Sequence, residues 1–180
     1  MTPEAKARLA IDQLLTAAGW SVQDYTRINL YAQRGVAVRE YPLRTGFADY
    51  LLFADQQAIG VVEAKAVGTP LGGITHQSQK YGAGLPTLLP AWRTPLPFLY
   101  ESTGVETLFT NGLDPEPRSR NVYAFHQPAT LAAWVQEPVS LRAGLLAMPP
   151  LITHDLWPAQ VEAIRNLEWS LAQNRPRALI

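Results

Sequence analysis

Asp49, Glu63 and Lys65 are three residues whose side chains could act together on a substrate. Two carboxylates supply hard oxygen ligands for a divalent cation, and an ammonium beside them can steer a proton or steady a negative charge. Whether they meet is a question of strand register. Phe47–Phe53 and Ile59–Ala66 are apolar runs of strand length, and Ala54-Asp55-Gln56-Gln57-Ala58 between them has turn polarity, so the stretch reads as a β-hairpin. Side chains alternate along a strand: Phe47, Asp49, Leu51 and Phe53 share one face of the first, and Val61, Glu63 and Lys65 one face of the second. A loop centred on Gln56 sets Asp49 directly opposite Glu63. Opposed Cβ atoms stand about 4.5–5.5 Å apart, where like charges repel. Positive charge is therefore expected from Lys65, on the same face as Glu63, and from a divalent cation. The bland alternative is an exposed face with a surface Asp–Glu–Lys cluster, but Leu51-Leu52-Phe53 and Val61-Val62 give the acids apolar company that a solvated face does not need.

The elements that must hold this hairpin are legible on either side. Thr2-Pro3-Glu4 reads as a capped helix start, Ala7, Ile11, Leu14, Leu15 and Ala18 recur at helical spacing, and Gly19 ends the helix with Trp20 behind it. Glu4 is explained by a favourable first-turn charge. VAVREYPL (36–43) reads as a strand lying towards an edge because of its Pro, with Arg39 and Glu40 on a solvated face. Gly68, Pro70, Gly72 and Gly73 break the chain before a helix over 74–83, on which Gln77 and Tyr81 share a face. PFLYES and VETLFTN form a second hairpin around Thr103-Gly104, and a helix is expected at about 129–135. Arg118 and Arg120 are read as a solvated loop with the makings of a phosphate contact. His126 is read as closing a hydrogen bond in the core or a loop. At LRAGLLAMPP (141–150) the composition shifts as at a domain boundary.

A chain of 180 residues with 47% hydrophobic and 17% charged residues is globular, one domain with a piece of a second. It has no cysteine, which excludes disulfides, thiolate zinc sites and cysteine nucleophiles and fits a reducing cytoplasm. No signal peptide or membrane-length run is present, so no membrane partner is expected. Fifteen basic residues balance fifteen acidic ones, so any DNA contact must come from local patches or partners rather than from the overall field.

An acidic residue on one strand and Glu-Xaa-Lys on the next resembles the core of the PD-(D/E)XK nucleases: Asp49 is the acidic residue, Glu63-Ala64-Lys65 the second element, and Ala48 stands where the motif has its Pro. Gln77 and Tyr81 resemble the Gln-Xaa-Xaa-Xaa-Tyr pair of the subset that includes RecB-like enzymes and the motor subunits of type I restriction enzymes. Further on, Leu156-Trp157-Pro158-Ala159-Gln160, the helix through Ile164, Leu167 and Leu171, and the stretch 177–180 resemble the Gln motif, helix and strand that open a superfamily-2 helicase motor. In this combination the chain resembles the N-terminal part of the restriction (R) subunit of type I restriction enzymes; PFLYESTG and the Arg-rich segment before FHQP share that look.

The resemblance implies an α/β, restriction-endonuclease-like core with a central mixed β-sheet flanked by helices over residues 1–147. It assigns 148–180 to a linker and the truncated start of a motor domain. It implies hydrolysis of DNA phosphodiester bonds with Mg2+, or Mn2+, held by Asp49 and Glu63. Lys65 would orient or deprotonate the attacking water, and Gln77 and Tyr81 would position the strand or the catalytic groups. Gln160 would read the adenine of ATP in the full-length motor. Implied partners are DNA and the methyltransferase and specificity subunits, in the cytoplasm. Two other readings stay open: a stand-alone repair or junction-resolving nuclease, which fits the first 140 residues equally well but has no need of the segment from Leu156, and a decayed DNA-binding module, which would have lost ligands that are present here.

Overall fold

The computed structural model describes residues 2–72, 84–86, 89–173 and 175. Helix α1 (Pro3–Ala17) begins where Thr2 Oγ1 accepts a hydrogen bond from the Ala5 amide at 3.2 Å, and Glu4 lies in its first turn. Gly19, at φ +88°, turns the chain out of the helix, and Trp20 packs behind it almost fully buried. Seven strands follow: β1 (Ser21–Asp24), β2 (Gly35–Leu43), β3 (Gly46–Ala54), β4 (Gln57–Ala64), β5 (Phe98–Ser102), β6 (Thr107–Asn111) and β7 (Ser119–Asn121). They lie side by side in chain order in one sheet. β1 with β2 and β4 with β5 are parallel, and the other neighbours antiparallel. Helices α2 (Pro128–Gln136), α3 (Leu141–Leu146) and α4 (Pro158–Ala172) complete the described elements. This is the expected α/β architecture, a central mixed sheet flanked by helices.

Each face of the sheet has its own core. On one, Ile11 and Leu15 of α1 and Leu131, Ala132 and Val135 of α2 pack with Tyr50, Leu52, Val62, Phe98, Tyr100 and Phe109. On the other, Val38, Leu51, Phe53, Val61 and Leu99 pack with Leu30, Leu85, Leu89 and Leu96. Strands β3 and β4 are thus apolar on both faces, the pattern of central strands.

The hairpin of β3 and β4 differs from the expected one in a way that matters. The loop is not five residues but two: Asp55 (φ +50°) and Gln56 (φ +64°) are both left-handed, as a tight primed turn requires. From that turn the ladder runs Ala54↔Gln57 and Phe53↔Ala58, a register that would set Asp49 opposite Val62 and send it and Glu63 to opposite faces. A β-bulge intervenes. Leu52 pairs with Gly60, so Ile59 is an extra residue in β4, and from there Leu51↔Val61 and Tyr50↔Val62 follow. Both Ile59 and Gly60 then lie opposite Leu52. Ile59 is fully buried, while a Cβ on Gly60 would stand 2.4 Å from the Phe98 carbonyl oxygen.

Other expectations fare variously. β2 is not itself an edge strand, because β1 covers it; β1, however, pairs only with Val36 to Arg39, so Pro42 does sit where, among the described residues, no strand pairs with the outer side of β2. β1 has no counterpart in the sequence reading. The helix expected over 74–83 lies outside the described residues, as does the strand expected at 177–180. His126 does close a hydrogen bond in the core, Nδ1 to Tyr100 Oη at 2.7 Å, against the rings of Phe109 and Trp134. The stretch 141–150 starts as α3, which Ser140 caps and which packs against α4.

Two outcomes are predicted. Gly60→Ala forces a Cβ into the Phe98 backbone and should destabilise the fold by about 1–3 kcal/mol, read as a lower midpoint in urea. His126 gives a pH dependence. Burial, with the charge of Arg120 added, lowers its pKa below the ordinary value of about 6.5. As pH falls the unfolded chain takes up that proton first, so the stability held above about pH 6.5 is lost as pH drops towards the lowered folded value. His126→Gln should flatten this part of the profile when unfolding midpoints are compared between about pH 7.5 and about pH 5.

Candidate active site

Four carboxylates, Glu40, Asp49, Glu63 and Glu101, lie on four neighbouring strands. Arg39↔Tyr50 and Tyr41↔Ala48 bracket Glu40 of β2 and Asp49 of β3, whose own rung is missing from the ladder. The β3–β4 ladder ends at Tyr50↔Val62, one residue short of Asp49 and Glu63, and Glu63 pairs with Glu101 of β5. Three of the acids are shielded: the side chains of Asp49 and Glu63 are 18% and 15% exposed, and Glu101 is 5% exposed. Glu40 is mostly exposed.

Acids packed this closely need partners, and the structure supplies them. Asp49 Oδ1 accepts from Arg8 Nη2 of α1 at 2.5 Å, and its Oδ2 accepts from the main-chain amide of Ala64 at 2.9 Å. The Asp49 side chain thus carries the β3–β4 connection beyond the last paired residues, to the residue next to Glu63. Arg8 Nη1 reaches Glu40 at 2.7 Å. Burial works against the Arg8 charge, but the two carboxylates outweigh it and its pKa is raised. Lys65 Nζ lies 3.1 Å from Glu63 Oε1, as expected from the sequence, and the Lys65 amide bonds the Ser102 carbonyl of β5. Glu101 Oε2 accepts from the Gly72 amide at 2.6 Å, tying the segment after Lys65 to the sheet.

Glu40 is solvated, as expected, whereas Arg39 is half-buried. In a regular strand they would point to opposite sides, yet both reach α1. Glu40 has φ +49°, a strained conformation for a residue with a side chain, and the kink it makes accompanies this arrangement. Arg39 grips Asp12 with two bonds (2.7 and 3.1 Å) and Asp24 with a third (2.8 Å). Hydrogen bonding to Asp12 leads the causes that raise its pKa. Tyr50 Oη donates to the same Asp12 carboxylate at 2.8 Å, and burial together with that bond raises the phenol's pKa. The helix is thereby locked to strands that bear these acids. A cleft of about 470 Å³ opens there, lined by Arg8, Asp24, Tyr25, Arg39, Phe47, Asp49 and Tyr50 among others.

Could Asp49 and Glu63 hold a divalent cation? The donors are of the right kind, oxygen atoms of shielded carboxylates on adjacent strands, one of them fixed by a backbone amide. Among the described residues no three acidic or histidine side chains converge on one point. Two carboxylates completed by water and substrate oxygens are, however, the arrangement that Mg2+ favours, and so the residues fit.

The remaining candidates lie apart. Gln77 and Tyr81 are outside the described residues. Gln160 is at the start of α4, where its Oε1 accepts from the Trp157 amide at 2.9 Å and closes the first turn. Arg118 pairs with Glu116 at the surface. Arg120 lies over the Phe109 ring and lines a separate pocket with Asp114, Trp134 and Arg142. Sequence reasoning missed Arg8 and Glu101. Glu101 had a signal: Phe98-Leu99-Tyr100-Glu101 repeats the pattern of Val61-Val62-Glu63, an acid ending an apolar strand. Arg8 had none, because its role depends on how α1 crosses the sheet.

Residues 17–94 match the family model described as the type I restriction enzyme EcoKI endonuclease subunit second domain. No curated protein and no solved structure matches the chain.

If the Gly72 amide depends on Glu101, Glu101→Ala should cost about 1.5–3 kcal/mol in denaturant unfolding, as for loss of a hydrogen bond to a charged group. Glu101→Gln, whose amide oxygen can still accept, should cost less.

Proposed function

We propose that this chain is the N-terminal region of a type I restriction R subunit, as the family match over residues 17–94 supports, and that the acids at the sheet end are its nuclease centre, hydrolysing DNA phosphodiester bonds. The observation that carries this reading is the coupling of the two strands there: Asp49 bonds the Ala64 amide while Lys65, the next residue, bonds Glu63.

In this reading Asp49 and Glu63 would hold Mg2+, with Mn2+ as a substitute. Such an ion would supply charge neutralisation at the scissile phosphate and a lower pKa for the attacking water. The other work falls to side chains. Lys65 is tethered by Glu63, which fixes its ammonium at the centre instead of leaving it to wander in solvent. From there it can orient the attacking water and donate to the phosphate oxygen on which negative charge develops as the new P–O bond forms and the bond to the leaving oxygen breaks. Glu101 and the Ser102 carbonyl hold the segment around Lys65 by main-chain bonds, so the ammonium is presented from a fixed backbone. Gln77 and Tyr81 are proposed to position the DNA strand or these groups.

The wider setting is proposed on the same basis. The nuclease would work in a complex with DNA and with methyltransferase and specificity subunits. Residues from 148 onward would lead into an ATP-driven motor in which Gln160 reads adenine. For that role the Gln160 side chain would have to serve the nucleotide as well as the first turn of α4.

In the assembled restriction enzyme, Asp49→Ala and Lys65→Ala should each reduce DNA cleavage by at least about a hundredfold while ATP hydrolysis is kept, because the nuclease and motor chemistries are separate. Cleavage that survives either substitution in a folded protein would contradict the assignment.

A further inference from the structure

Asp49 already has a cation, and that cation belongs to the protein. Arg8 bridges Glu40 and Asp49, one Nη on each carboxylate. Its remaining donor, Nε, is buried and makes no hydrogen bond among the described residues. Two acids therefore hold the guanidinium. The strained φ of Glu40 lies where the rung between these two acids is missing from the β2–β3 ladder. The place is also open to solvent, since Arg8, Glu40, Phe47 and Asp49 line a second, smaller cleft of about 280 Å³.

We propose that Arg8 is a positioning residue that occupies the Asp49 carboxylate in place of a divalent cation, so that the ion must displace the guanidinium and the chain's affinity for Mg2+ is held weak. The inference rests on the reading of Asp49 and Glu63 as cation ligands. Its physical basis is competition for one group: Oδ2 of Asp49 is committed to the Ala64 amide, which leaves Oδ1, the atom bonded by Arg8, as the oxygen nearer to hand for an incoming ion. Glu40 offers the displaced guanidinium a partner it already holds, so displacement does not strand a charge. The arrangement keeps Asp49 oriented and its charge compensated before the ion arrives.

The test is Mg2+ titration of the 180-residue chain by calorimetry, with Arg8→Gln beside it and Arg34→Gln as a control for loss of a positive charge elsewhere, at the hairpin tip where Arg34 pairs with Asp55. A hydrogen bond between charged groups is worth enough that its removal should tighten Mg2+ binding by about ten- to a hundredfold in Arg8→Gln and leave Arg34→Gln near the unsubstituted chain. Arg8→Gln that is folded and binds Mg2+ no tighter, while the unsubstituted chain does bind, overturns the competition but leaves the Asp49–Glu63 site standing. Failure of both to bind at tens of millimolar overturns the cation site and this inference with it. Should Arg8→Gln fail to fold by circular dichroism, the unsubstituted chain decides: the side-chain Nη resonances of 15N-labelled Arg8 should lose their Asp49-bonded signature as Mg2+ saturates, and persistence of that signature at saturation overturns the proposal.

Discussion

Side chains on a β-ladder alternate, so two acids on neighbouring strands share a face only if the number of residues between them has the right parity. Here Ile59 sets that parity. Without this one extra residue the turn at Asp55-Gln56 would leave Asp49 opposite Val62 and divide the carboxylates between the two cores. With it, Asp49 and Glu63 are the residues next after the last β3–β4 pair, Tyr50↔Val62. The bulge is held by contacts away from the acids: Ile59 is buried among Leu52, Ala54 and Val62, Gly60 lies against the Phe98 backbone, and Ala58 exchanges hydrogen bonds with the chain at Pro90 and Trp92.

With the acids on neighbouring strands, electrostatics governs what surrounds them. Repulsion between neighbouring carboxylates at β-sheet spacing is relieved by groups from three directions. Arg8 comes from α1, Lys65 from the end of β4, and the Gly72 amide from the connection that leaves the sheet. α1 can deliver Arg8 because the fork of Arg39 on Asp12 and Asp24, with Tyr50 on the same Asp12, ties the helix to β1, β2 and β3. The strained backbone at Glu40 belongs to the same arrangement. A residue that would otherwise face away from α1 is turned to share Arg8 with Asp49.

Local signals in the chain foretold much of this. Thr2, Pro3 and Gly19 bounded the first helix because caps and left-handed glycines act within a few residues. The two apolar runs around Asp55 declared a hairpin, and Val61-Val62-Glu63 declared a shielded acid. The register from Leu52 to Tyr50 was anticipated for the wrong reason. A five-residue loop and a two-residue turn with a bulge both bring Tyr50 to Val62, and only the structure distinguishes them. Neither Asp55 nor Gln56 is a glycine, so the tight turn left no strong mark, and the bulge answers to Phe98 and Pro90, more than thirty positions away. The same distance hid Arg8. Its pairing with Asp49 spans forty-one positions and depends on the crossing of a helix over a sheet, for which the sequence carries no periodic signal.

The central claim is that the bulge makes Asp49 and Glu63 into one cation site. It is tested most directly by adding substoichiometric Mn2+ to 15N-labelled chain and mapping which amide resonances the paramagnetic ion broadens first. Early, joint broadening of residues 49–50 on β3 and 63–65 on β4 is the predicted result. Broadening centred elsewhere, on Asp12 and Asp24 or around Asp114, with these two strands spared, would contradict it.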